Sequence, residues 1–205
     1  MKLTAILLAA LSPFSFAQEE EKPSHTHITN VTIFDGVNEQ TTEGSVLIED
    51  NLIKEVGADV KTPEGATVID GGGKFLMPGL IDSHVHFYLS MDGGRPGMET
   101  SRWDYFPAMG AVAAQEWLAD GFTTVRDMGG MHDGLRRVVD AGLLDGPRMY
   151  LAAGMVTQSS GHGDMLPEGK EASPEESNLV KLGITLIADG PDEVRKAVRQ
   201  NFSRG

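Results

Sequence analysis

Two histidines, His84 and His86, are the residues whose type and spacing could do chemistry. They end the stretch Met77-Pro78-Gly79-Leu80-Ile81-Asp82-Ser83-His84-Val85-His86. Its Pro-Gly turn leads into an apolar run that reads as the start of a buried strand. Side chains on a strand alternate between faces, so His84 and His86 point one way and Val85 the other. Two neutral imidazoles on one face suit a divalent cation such as zinc. Spacing alone is a weak signal, because His25-Thr26-His27 repeats it. That copy lies among polar residues near the chain start with no buried strand to deliver it, and a solvated pair is the simpler reading. No metal role is expected for His25 or His27.

Three other positions merit comparison. His162 sits in Gly161-His162-Gly163-Asp164, where flanking glycines permit close approach of backbone to a ligand; the plainer reading is an exposed loop histidine. Asp127 follows Val125-Arg126 and reads as a cap for the loop after its strand, with Arg126 as its partner. His132 precedes a helix and reads as a surface residue.

The elements that must position these residues fall into two rhythms. Residues 26–76 read as short β segments: a β-branched run ending at Asp35-Gly36, a hairpin over the acidic turn Glu49-Asp50-Asn51, and a strand at 66–70 closed by three glycines. From residue 79 strands and helices alternate, as in a parallel α/β fold. The pattern predicts strands over 80–87, 122–127 and 149–153, and helices over 108–120 and 133–141. Another helix starts at Pro191, with a buried stripe of Val194, Ala197, Val198 and Phe202. Long loops are expected over 88–103 and 154–176.

Pro78-Gly79-Leu80-Ile81-Asp82-Ser83-His84-Val85-His86 resembles the first-strand signature of the metal-dependent amidohydrolase superfamily, with Gly71 to Leu76 as its run-in. Gly121-Phe122-Thr123-Thr124-Val125-Arg126-Asp127 is similar to its second strand. Gly146-Pro147-Arg148 with Gly161-His162-Gly163-Asp164 resembles the prolidase-like and imidazolonepropionase-like subgroup. The resemblance implies an α/β fold: a small β-sandwich subdomain over 26–76, then a (β/α)8 TIM-type barrel over 77–205, incomplete here with its first three strands only. It implies His84 and His86 as metal ligands, His162 as a substrate contact, and one or two divalent ions, zinc being expected. The implied activity is hydrolysis of amide C–N bonds by a metal-activated water, on dipeptides such as Xaa-Pro or on N-acyl amino acids. Cyclic amides or imides, as for imidazolonepropionase or hydantoinase, are the alternative. The remaining ligands and the acid/base carboxylate are expected beyond Gly205. The expectation is therefore a piece of a longer enzyme with no catalytic residue of its own, inactive alone. The competing reading is a short non-catalytic metal-binding or interaction module.

Composition sets outer bounds. Hydrophobic residues make up 40% and charged residues 23%, which is ordinary for a globular chain. A formal net charge of −13 argues against nucleic acid and anionic membrane surfaces as partners. A small-molecule substrate is the expected partner, and a homo-oligomer is compatible with the sequence. Residues 1–17 read as a signal peptide: Lys2, an apolar run from Leu3 to Phe16, and small residues at Ser15 and Ala17. Residues 18–25 then form a polar linker, and a secreted or periplasmic destination follows, with no membrane association after cleavage. N-terminal sequencing of exported protein is expected to begin at Gln18; a retained Met1, or a start inside the β segments, would remove the signal peptide from this reading.

Overall fold

In the computed structural model, which describes residues 23–89, 94–164 and 177–204 (backbone alone at 94–96), the β-branched run near the chain start lies inside β1 (His25–Ile33). The expected signal peptide, residues 18–22 of the linker, loop residues 90–93 and 165–176, and Gly205 lie outside the described residues. The described chain separates into two compact units, one ending at Pro78 and the other beginning at Gly79.

In the first unit β1, β2 (Thr42–Glu49), β3 (Leu52–Gly57) and β4 (Thr67–Leu76) form one sheet in the order β3-β2-β1-β4. The hairpin is the expected one: Glu49 pairs with Leu52, and the turn residue Asp50 takes a left-handed φ of 54°. β1 runs antiparallel to β2 but parallel to β4, so the unit is a mixed sheet rather than a simple meander. β4 also continues through the glycines expected to end it. A register shift between Thr29 and Val31 absorbs the extra length, with Gly72 and Gly73 at φ of 60° and 78°. Asp70 holds that bulge by accepting from the Gly72 amide and from Asn30 Nδ2. Val31, Ile33 and Val46 form the core, with Ile28, Ile48 and Leu76 packed against them. The described residues of this unit form a single layer of sheet.

In the second unit β5 (Leu80–Val85), β6 (Phe122–Asp127) and β7 (Arg148–Leu151) are parallel and adjacent in that order. α2 (Tyr105–Ala119) and α3 (Asp133–Asp140) cover one face. Val85, Phe87, Val125 and Met149 meet Phe106, Ala113, Ala114 and Leu135 there. The opposite face is bare: Tyr150, which alternates with buried Met149 on β7, is 56% exposed. β5 stops at Val85 rather than at residue 87, because the Phe87 amide bonds to the Asp127 side chain instead of a strand neighbour. β7 ends at Leu151 rather than at residue 153, and Ala153 takes a left-handed φ of 59°.

Several elements carry no clear sequence signal. The loop after β5 contains α1 (Gly94–Thr100). β8 (Met155–Thr157) pairs in parallel with β9 (Thr185–Ile187), and α4 (Asn178–Lys181) precedes β9. α5 (Pro191–Phe202) starts at Pro191 as expected, with Asp192 and Glu193 in its first turn. Its stripe is not buried as expected: Ala197 is, but Phe202 is 84% exposed. That face meets Leu151 and Ala152 across an open hollow of about 280 Å³. On α2 Val112 is likewise exposed, and the buried line is Phe106, Gly110, Ala113 and Ala114. Gly110 is required because a Cβ there would stand 2.8 Å from the Tyr88 ring.

Gly44, opposite Val31 in the first sheet, is a similar close approach: a Cβ would stand 2.6 Å from the Gly57 carbonyl oxygen. A backbone oxygen cannot rotate aside, so Gly44→Ala is expected to cost about 1–3 kcal/mol. Urea unfolding of the purified protein measures this; an unchanged midpoint would mean that β2 and β3 separate freely.

Candidate functional site

Alternation along β5 turns Val85 into the core and His84 to the bare face, and His86 follows just past the strand end, half-buried. The two imidazoles meet edge to face, with centroids 5.2 Å apart and planes at 71°. His86 Nδ1 lies 3.1 Å from the Gly129 carbonyl oxygen. A carbonyl only accepts, so this bond puts the ring proton on Nδ1 and the lone pair on Nε2. Metal-ligating histidines use this arrangement, one nitrogen tied to a backbone carbonyl and the other carrying the donor pair. His84 is exposed, and its amide donates to Asp82 Oδ1 at 2.9 Å.

Asp127 is fully buried at the end of β6. Its Oδ2 accepts from the Phe87 amide at 2.9 Å, and its Oδ1 from the Gly129 amide at 2.9 Å. Burial pushes this carboxyl above the ordinary carboxylate range, while the Phe87 and Gly129 amides and nearby His86 pull it down. The capping role read from sequence is what the geometry shows. The expected partnership with Arg126 is not: adjacent strand residues face opposite ways, and Arg126 Nε donates to the Ser83 carbonyl at 2.8 Å.

The other sequence candidates lie elsewhere. His162 is exposed in a turn closed by the Ser160 amide donating to Asp164 Oδ2 at 2.8 Å. Among the described residues no hydrogen bond or ring contact joins it to His84 or His86. His132 is not a simple surface residue: it is half-buried, with Nε2 3.2 Å from the Gly183 carbonyl oxygen. His25 and His27 do lie on a strand, contrary to expectation. The Nε2 of His25 is 2.9 Å from Glu49 Oε2, which Lys54 also binds. Lys54 first and His25 second hold the Glu49 carboxyl below its usual range. His27 is buried, with Nδ1 2.7 Å from Thr62 Oγ1.

Two residues escaped sequence reasoning. Tyr88 is buried in the core with its ring against Phe106, and burial together with the Asp127 charge pushes its phenol up to about 12. Glu99 ties α1 to α4: its carboxylate accepts from Ser177 Oγ at 2.6 Å and from the Asn178 amide at 2.7 Å. Ser177-Asn178 has the composition of a helix start, which was a usable signal. Nothing local to Glu99 points to a partner 78 residues away.

Among the described residues no three His, Asp, Glu or Cys side chains converge to hold a metal ion. A catalytic zinc normally takes three protein ligands and an open position, so His84 and His86 fit as part of such a set.

The sequence model of the amidohydrolase family matches residues 75–205. The chain belongs to that family. It is 32% identical over 184 residues to ochratoxinase of Aspergillus niger, covering 83% of this chain and 38% of that one. To dihydroorotase of Trichlorobacter lovleyi it is 32% identical over 158 residues, covering 74% and 32%. Among solved structures it is similar to a prolidase complexed with N-methylphosphonate-L-proline: TM-score 0.79, 31% identity, 89% of this chain and 45% of that one. The chain thus spans less than half the length of these relatives. The family is generally metal-dependent.

In the full-length protein, His84→Ala and His86→Ala are each expected to lower bound metal per chain, measured by elemental analysis, and His25→Ala to leave it unchanged. Undiminished metal in the double variant would remove the pair from the site.

Proposed function

We propose that this chain is the N-terminal part of an exported enzyme, secreted or periplasmic, that hydrolyses amide C–N bonds with a divalent metal ion, zinc being the ion that an imidazole pair suits. The observation that carries the reading is the His84–His86 pair on the bare face at the end of a parallel strand, in a chain of the amidohydrolase family. On this reading β5, β6 and β7 are the first three strands of a (β/α)8 barrel, and the bare face with Tyr150 is its inner wall. The first sheet is one layer of a small β-sandwich. An apolar hollow of about 270 Å³ lined by Ile28, Ile48, Ile53 and Val56 supports a second layer over it.

A bound divalent ion supplies an acidified water and a polarised carbonyl. His84 and His86 hold the ion in part, the Gly129 carbonyl fixes which nitrogen His86 presents, and His162 contacts substrate from its closed turn. A catalytic ion takes a third protein ligand and the reaction a proton-transferring carboxylate, and neither role is assigned to the described residues.

The likeness to a prolidase complexed with N-methylphosphonate-L-proline supports linear substrates, Xaa-Pro dipeptides or N-acyl amino acids. The likeness to dihydroorotase favours a second reading, a cyclic amide or imide. Purified full-length protein is expected to turn over members of a dipeptide and N-acyl amino acid panel, to lose turnover on chelation and to regain it with zinc. Turnover confined to hydantoins or dihydropyrimidines would move the assignment to the second reading. Metal-independent turnover, or none on either panel, would overturn both.

A further inference from the structure

We infer that Asp127 is a positioning residue that fixes the tautomer and direction of the His86 imidazole from two hydrogen bonds away. Its consequence for metal affinity rests on the proposed role of His86 as a ligand, whereas its effect on the ring holds in the metal-free protein.

His86 Nδ1 donates to the Gly129 carbonyl oxygen. That oxygen orients the ring only as well as its own peptide is held. The Gly129 amide donates to Asp127 Oδ1, while the flanking amides of Met128 and Gly130 donate to the carbonyls of Val85 and Ala153. The ring's other end is the His86 backbone, and the amide that follows it, Phe87 N, donates to Asp127 Oδ2. One carboxylate therefore grips the peptide leaving His86 and the residue that supplies its acceptor, both at 2.9 Å. Gly129 itself takes a φ of 150°, and a Cβ there would stand 2.1 Å from Met155 Cγ, so the segment has little room to shift.

This chemistry requires two acceptor atoms on one short side chain. An asparagine has the same shape but turns an NH₂ toward one of the two amides, and a buried donor facing a donor must move away. Either amide released loosens one end of the His86–Gly129 bond. If the carboxylate were only a loop cap, its loss would cost stability and leave the ring's proton where it is.

The test uses metal-free, full-length protein labelled with ¹⁵N-histidine, with the His86 signals assigned by their loss in His86→Gln. The wild type is expected to show the Nδ1–H tautomer and Asp127→Asn a mixture. Val125→Ala, which opens the core two residues earlier on the same strand, is expected to leave the tautomer unchanged. Chelator competition should then show zinc bound about 10–100-fold more weakly by Asp127→Asn and unchanged in Val125→Ala. Asp127→Glu, which keeps both acceptors, should retain more affinity than the asparagine variant. An unaltered tautomer in Asp127→Asn, or an equal effect from Val125→Ala, overturns the inference. Should Asp127→Asn fail to fold, the wild-type spectrum still decides, because an Nε2–H tautomer of His86 overturns it. A tautomer that follows Asp127 in a protein whose metal content ignores His86→Ala would sustain the positioning role and sink the proposed function.

Discussion

A parallel strand shows successive side chains to opposite faces, and the placement of the second unit's chemistry depends on that alternation at the end of β5. Val85 and Phe87 go into the core beneath α2 and α3, which leaves His84 and His86 on the other side. Slipping β5 by one residue would bury both imidazoles and expose the two apolar side chains. Burying a Val or Phe is worth about 1.5–3 kcal/mol each, against roughly 0.5–1.5 kcal/mol for one hydrogen bond. Core packing therefore decides which way the histidines face. The hydrogen bonds around His86 select the ring's orientation within that choice.

The loops beyond the strand ends are held by acidic side chains that accept from backbone amides. Asp127 satisfies two amides that have left the strand ladder. Glu99 does so for the start of α4, where the side chain of Ser177 also accepts from the Val180 amide. Asp189 accepts from both the amide and the hydroxyl of Ser159, which pulls its carboxyl below the usual range and anchors the turn that carries His162. In each case an acidic side chain from one segment, Asp127 at the end of β6, Glu99 in α1 or Asp189 after β9, ties down a segment far away in sequence.

That pattern explains what the sequence could and could not tell. Strand–helix alternation from residue 79 made the parallel sheet legible, because hydrophobic periodicity is local. The facing of His84 and His86 followed from period two alone. Phe87 read as strand because it is apolar, and the competing partner that ended β5 was a carboxylate 40 residues on. α1 and the β8–β9 pair are short elements stabilised by distant contacts, so no window of sequence contains their cause, and α4 had only its Ser177 cap as a local signal. The apolar stripe on α5 was real as a pattern, but burial also needs a partner surface. Leu151 and Ala152 cover it only in part.

The two His-x-His pairs show why spacing is so weak a guide. The first pair lies within β1, while the second begins in β5 and ends just past it, its rings edge to face. β1 is hydrogen-bonded on both sides, to β2 and β4, at the level of its pair: His27 lies between Leu47 and Val68. Neighbouring side chains can therefore close over the rings, Thr62 on His27 and Glu49 on His25. Each nitrogen so used is lost to a ligand, and the remaining His27 Nε2 is buried without a hydrogen-bond partner among the described residues. β5 delivers its pair where the ladder stops and the chain turns away. There the Gly129 carbonyl accepts a hydrogen bond from Nδ1–H, which leaves the lone pair on Nε2. The chemistry of a histidine pair is set by what the sheet places beside each ring, and that is a property of topology that the motif does not contain.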